Sequence, residues 1–549
     1  MKDSVFAAIR SQATRSWALP SLLILMLSLS FAAGQVRAQC GSLSGPSTTW
    51  SDGNGSWSVA GNWTSGSPNG STNACILDGT STVTLDTNGS ALGLQIASGN
   101  VLSLNGGENL SLAGVSFNFG TIGASVHPGG TIVNSGTLTN AGTLFLDSGS
   151  VLYNSGTIVN TAIEGQAFYI DQAGFMNTGA FYNYGTASNE GLITNASGAS
   201  FINYGTFNST IASRIENSGT FLNTSGSTIN AYSMVLNNYG TFSNAGTLTT
   251  TRAAGVNNYG TLSNSGILNN TSGANGINNY GTLINSGTFT NAFGSYFPSG
   301  GSPLNNYGTL LNSSGGTLSI DSVSTLNNTG TIPNNGTINN SGTVNNSGMF
   351  TNSGAVTISS SGLFTTSTNY TQTGGSTLVD GSLTATGGAI VNIQGGSLSG
   401  TGTINGNVLM AGTMMPGDAP GTLTILGNYE QTGSGMFDEL MGPSASFLNV
   451  NGNVLLDSGA FLEITLLGGF DPLGQTFGIM GYQSLSGQFA NGSSFWDDGY
   501  LWDISYGQNQ IDVTAVQAPE PTSLLLLFLG LGTLALFAHR KMDKTQRLA

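Results

Sequence analysis

Charge is what this sequence most lacks. Only 6% of its 549 residues are charged, against about a quarter in an ordinary globular domain. Between Gln39 and Ala518 there is no lysine, Arg214 and Arg252 are the only arginines, and 22 acidic residues leave that span with a net charge near −20. This excludes nucleic-acid binding, because neutralising phosphates takes clustered Lys and Arg. No GxxxxGK[ST] loop is present to cradle a nucleotide. The span holds one histidine, His127, in the turn-like context Ser125-Val126-His127-Pro128-Gly129, a poor setting for the base of a Ser-His-Asp or Cys-His enzyme. Together with Cys40 and Cys75 it falls short of a zinc ligand set. The adjacent carboxylates Asp438-Glu439 and Asp497-Asp498 would point to opposite faces of a strand rather than converge across a cleft as a glycosidase needs. The expectation is a non-enzymatic protein without catalytic residues, metal or cofactor.

Each end of the chain reads as a trafficking signal. Lys2, Arg10 and Arg15 precede an apolar run from Trp17 to Ala33, and Val36-Arg37-Ala38 offers a cleavage point before Gln39, so residues 1–38 read as a secretory signal peptide. In an exported chain Cys40 and Cys75 are a candidate disulfide, with free or intermolecular thiols as the alternative. At the other end Ala518-Pro519-Glu520-Pro521 leads into the apolar stretch Thr522 to Ala538, followed by Arg540, Lys541, Lys544 and Arg547. Seventeen residues at 1.5 Å rise span roughly 26 Å, enough for a thin hydrocarbon core. The basic residues that follow would halt transfer and stay cytoplasmic.

This order of Pro-Glu-Pro motif, apolar helix and basic tail resembles the PEP-CTERM sorting signal of Gram-negative bacteria. The resemblance covers about the last 30 residues. It implies a membrane-anchored intermediate, recognition by an exosortase, and delivery of the body to the cell surface or extracellular matrix.

What remains is repetition. The chain has 83 glycines, and a unit Gly-Thr-apolar-x-Asn-x recurs from about residue 115, most plainly from Gly330 through Gly336 and Gly342 to Gly348, a period of six. A longer interval near 20 separates most of the Asn-Tyr-Gly-Thr units at Tyr184, Tyr204, Tyr239, Tyr259, Tyr280 and Tyr307. Short strands with one inward apolar residue, bends at glycine and about 20 residues per coil define an all-β, parallel β-solenoid, with right-handed winding favoured. Stacking like on like at roughly 4.8 Å accounts for the missing charge. It also favours asparagine, which tolerates left-handed turns and can bond to the identical amide above and below. About 15 such coils would make a rod on the order of 70 Å long. Tyr239, Tyr259 and Tyr280 lie one coil apart, so their rings are expected to form an outward ladder, either self-stacked or a platform for sugar rings.

The flanks differ from the repeats. Trp50, Trp57 and Trp63 resemble the opening cap of autotransporter passenger-like β-helices, and Met415-Pro416-Gly417-Asp418-Ala419-Pro420-Gly421-Thr422-Leu423 resembles their closing coils, with Ala419 where serine is usual. The expected organisation is a signal peptide (1–38), a Trp-containing cap with the first coils (39–114), the repeat solenoid (115–415), an acidic C-terminal β cap (416–517) and the sorting signal (518–549). The expected function is that of a surface or matrix structural protein with an exosortase-type enzyme, the bacterial membrane and extracellular polysaccharide as partners; an adhesin or carbohydrate-binding protein is the alternative.

Overall fold

The computed structural model describes residues 40–517, except 52, 105, 125–128, 163–166, 211, 273–274, 294–300 and 418–420, together with Leu531, Thr533 and Leu534. The expected signal peptide 1–38, the expected sorting motif Pro519-Glu520-Pro521, the basic residues after it and His127 lie outside the described residues, as does nearly all of the expected membrane span 522–538. Among the described residues no helix is long and apolar enough to cross a membrane.

The period of six is the length of one side. Thr331–Asn334, Thr337–Asn340 and Thr343–Asn346 are four-residue strands joined by two-residue corners. The fourth, Met349–Asn352, returns to pair in parallel with the first. Three sides therefore make an 18-residue coil, and extra residues at the corners stretch it toward 20. We number the faces in chain order from Ser47–Thr49, the strand that begins the first face. The first face is a 21-stranded sheet. At ~4.8 Å per step it spans about 95 Å. Fifteen of its strands, from Val115–Asn118 to Asn407–Met410, fall in the repeat span.

Burial follows the pleat. In a strand such as Thr241–Asn244 the second and fourth residues are buried and the first and third face outward. The second position carries the apolar core. On the first face Phe181, Phe201, Phe221 and Phe242 stack in sequence with centroids 4.6, 4.3 and 4.9 Å apart. Each such side chain contributes roughly 1.5–3 kcal/mol by leaving water.

The fourth position carries asparagine, and these amides are inside the rod. On the first face an unbroken ladder runs from Asn118 through Asn140, Asn160, Asn183, Asn203, Asn223, Asn244, Asn264, Asn285, Asn312 and Asn334 to Asn352. Each Nδ2 donates to the Oδ1 one coil further on, over 2.7–2.9 Å. The third face holds a second ladder from Asn134 to Asn346, at 2.6–2.8 Å. The other Nδ2 hydrogen reaches a backbone carbonyl in the next coil, as Asn238 does to Thr261 over 2.9 Å. Asparagine is therefore chosen for amide stacking and corner tethering. The turn conformation that would also favour it is not used, since no described asparagine has a positive φ.

Glycines such as Gly198 and Gly226 hold the left-handed φ of a bend, but those of the two-residue corners after the asparagines serve close approach. Gly240, Gly260, Gly281 and Gly308 stack on one another, and a Cβ on any of the last three would collide with the carbonyl oxygen of the glycine below. The ends are closed differently. At the start Trp50, Trp57 and Trp63 are buried, with Trp63 edge-on to both others at 5.0 and 4.9 Å. Cys40 and Cys75 are disulfide-bonded with Cα atoms 5.8 Å apart, joining the first described turn to the strand Asn73–Ile76. At the far end parallel coils continue beyond residue 416 as far as Ser484–Gly487. The cap proper is the antiparallel set Thr476–Gly481, Ser494–Asp497, Tyr500–Tyr506 and Gln510–Val516.

A single rung tests the ladder. Asn238→Asp should destabilise the rod by about 3 kcal/mol at pH 7, because a buried carboxylate cannot donate to Asn258. Burial raises that carboxyl's pKa, and below it the acid O–H can donate again, so the deficit should shrink as pH falls toward 4. Asn238→Leu should show a loss that does not vary with pH. Denaturant melts at the two pH values distinguish these outcomes.

Candidate functional site

The outward positions are where a ligand or partner would meet the rod. At the corner between the third and first faces, Tyr239, Tyr259, Tyr280 and Tyr307 are each about half exposed. Their rings stack at 5.0, 4.9 and 4.8 Å with interplanar angles of 7°, 6° and 8°. The other two tyrosines of the same motif are not part of this row. Tyr184 and Tyr204 follow first-face strands and stack with each other at 4.5 Å on a different corner. The jump of 35 residues from Tyr204 to Tyr239 is thus a change of corner.

This stacking decides what the row can do. A sugar ring packs on the face of an aromatic ring, and within the row each face is covered by the next tyrosine. Only the two end rings can present a face, and Tyr259 and Tyr280 present edges and hydroxyls. Beside the row, the third position of the third-face strands carries a further amide ladder, mostly half-buried. Asn345, Asn327, Asn305, Asn278 and Asn257 each donate to the asparagine one coil below at 2.8–3.0 Å, and Asn237 at the bottom donates to Glu216 Oε1 over 2.8 Å. The ladder ends on a carboxylate, the strongest available acceptor, which is itself paired with Arg214.

The two acidic pairs lie near the far end of the rod, and one of them caps its edge. The strand Phe461–Leu466 is the last of the second face, and its edge N–H groups are taken by side chains. Asn491 Oδ1 accepts from Leu462 over 2.8 Å, Asp497 Oδ2 from Ile464 over 2.7 Å and Asp498 Oδ2 from Leu466 over 2.8 Å. Asp438 and Glu439 lie on opposite sides of their strand, as the pleat requires. Asp438 faces outward beside Glu463 and Asp497, and burial, reinforced by Asp497, raises its pKa. Glu439 is buried in the core, and desolvation holds its carboxyl well above the usual range. Among the described residues no group of three or more His, Cys, Asp or Glu is placed to hold a metal ion.

Sequence reasoning missed the edge-capping role of Asn491, Asp497 and Asp498, which no local pattern marks. It also missed the inward side of the asparagines, although their strict place three residues after the strand's first threonine carried that signal. No protein-family model matches the chain, and a search of curated proteins finds no relative.

Two outcomes follow. Tyr259→Ala removes two stacked contacts and should cost about 1–3 kcal/mol, read as a lower melting temperature without loss of the β circular-dichroism signal. Glu439 has a folded pKa above its unfolded one, so its contribution is fully present below the ordinary carboxylate range and is lost as pH rises through the folded pKa. Glu439→Met should stabilise the protein by about 1–3 kcal/mol at pH 8 and flatten that fall in a pH series of melts.

Proposed function

We propose that the protein is an exported, non-enzymatic structural rod, sorted through its PEP-CTERM-like tail by an exosortase-type enzyme and displayed at the surface or in the extracellular matrix of a Gram-negative bacterium. One observation carries the structural half of this reading: the polar interior is satisfied coil by coil along the axis by two continuous amide ladders. Such a body is stiff and extensible by whole coils, as a spacer requires. Low charge along the repeats and closed ends support display as single rods, since open β edges would pair with other chains.

The ordered tail supports the sorting half. Pro519-Glu520-Pro521, the apolar stretch 522–538 as a membrane helix, and the basic residues Arg540, Lys541, Lys544 and Arg547 are in the order such a signal needs, with the body outside the membrane. Removal of residues 1–38 on export accords with an oxidised Cys40–Cys75 pair. Right-handed winding is part of the proposal, supported by the coil length near 20.

Intact mass and cell fractionation test the reading. In the host, the mature protein should lack the residues after about Ala518, and Pro519→Ala with Glu520→Ala should leave a full-length tail in the inner membrane. A native form that keeps its tail, indifferent to these substitutions, would overturn exosortase sorting.

A further inference from the structure

Midway along the second face, before the long strands of its far end, the strands lengthen and leave the usual corner. Most strands have four residues, but Thr228–Tyr232 has five and Thr247–Arg252 has six. Ser233 and Arg252, just past the usual strand length, hold positive φ of 59° and 55°, a conformation non-glycine residues adopt at some cost. These longer strands carry Tyr232 and Arg252 beyond the normal corner, with the guanidinium 4.0 Å over the centre of the Tyr232 ring. Departures from an otherwise strict local rule mark functional sites.

Below this point lies a groove of about 460 Å³, within the usual size of a ligand site. Its lower wall is Tyr169, stacked from beneath by Phe145 at 5.4 Å and 13°. The residue in register above Tyr169 is Ser188, followed by Asn208 and Asn230. Small and polar side chains therefore stand where an aromatic ladder would have covered the ring, and the upper face of Tyr169 opens into the groove. Asn230 donates to Asn208 over 2.8 Å, and Thr210 to Glu190 over 2.9 Å. Glu190 also accepts from the Tyr169 hydroxyl, and Glu190, Asn208 and Asn230 line the groove. Burial, with the Glu190 carboxylate beside it, raises the Tyr169 pKa, so the phenol stays neutral. Burial and neighbouring Glu190 raise that of Asp171 as well.

We infer that this groove binds a neutral, extended, β-1,4-linked glycan that crosses the rod with one pyranose ring stacked on the upper face of Tyr169. A pyranose ring offers a flat C–H face for Tyr169 and a rim of hydroxyls for Asn208, Asn230 and Glu190. The ring planes of a β-1,4 chain run along the chain, so one stacked on Tyr169 continues as a flat ribbon across the face, within the three coil steps of about 14 Å between Tyr169 and Tyr232. The acidic neighbours Glu190 and Asp171 disfavour an anionic polymer. This adds a ligand site to the rod and does not depend on how the tail is processed.

The test is calorimetric titration of cellotetraose into the purified full-length protein in a sugar-free detergent, with maltotetraose as a curved comparator of the same rings. Binding with Kd on the order of 1 mM or tighter is expected for cellotetraose, weakened about tenfold or more by Tyr169→Ala and retained by Tyr169→Phe. Ser188→Tyr extends the Phe145–Tyr169 stack into the groove, so it should keep or raise the melting temperature while abolishing binding. This keeps the test sound if Tyr169→Ala folds poorly. Tyr259→Ala should bind as the wild type does. Absence of heat with cellotetraose, indifference to Ser188→Tyr, or equal binding of maltotetraose would each overturn the assignment.

Discussion

Every coil of this protein lies in register on the coil before it, and the backbone bonds between them set a repeat of roughly 4.8 Å. At that distance identical side chains must meet, so the rod admits only residues that attract their own kind. Phenylalanine does so by stacking, asparagine through complementary amide groups, glycine by leaving room for a carbonyl, and tyrosine by stacking at a corner. Lysine and glutamate cannot, because like charges one coil apart repel. The scarcity of charge and the abundance of four residue types are two consequences of one distance.

The amide ladders show why asparagine rather than a near relative fills the fourth position. Aspartate lacks a donor, serine has one where two are used, and glutamine carries an extra methylene. The direction of the bonds also has a cost that the structure shows. Each buried ladder donates toward the C-terminus, so the first member of each has an Oδ1 with no donor. Asn118 and Asn134 are the two asparagines left with such an oxygen among the described residues. The far ends are better served. The first-face ladder passes to Gln372, which donates to the carbonyls of Gly395 and Ser397, and the third-face ladder passes to Thr366. Longer ladders dilute the starting defect over more satisfied rungs.

Much of this was legible in the residues. Gly-Thr-apolar-x-Asn-x read at a period of six already contained the strand, its inward residue and the corner, and the tyrosine spacing already placed Tyr239, Tyr259 and Tyr280 in one line. The three-sided section was not read, so nothing marked the 35-residue step from Tyr204 to Tyr239 as a change of corner. Of the two reasons given for asparagine the structure uses the bond to the identical amide and not the left-handed turn, while glycine serves both as a positive-φ bend, as at Gly198 and Gly226, and for its lack of a Cβ, as at Gly260. Asp497 and Asp498 were weighed as an acidic pair and set aside, but their actual role was not read; their partners are backbone N–H groups of a strand about 30 residues away, and no spacing rule connects the two. Tyr169 and Tyr232 were invisible for a related reason, since outward positions carry no periodic demand.

A solenoid that stacks like on like hides the faces of its own side chains. The longer and more regular a tyrosine row becomes, the less ring surface it offers, and the same holds for an amide row whose members bond one another. Regularity therefore strengthens the rod and weakens it as a binding surface. A ligand site must be made by interruption, with a small residue following an aromatic one in register, or a strand running past its corner. Ser188 above Tyr169 is the first kind of interruption and the extended strands ending at Tyr232 and Arg252 are the second. Their meeting on one face, over a few coils of an otherwise strict repeat, separates the part of the rod that recognises from the part that bears load.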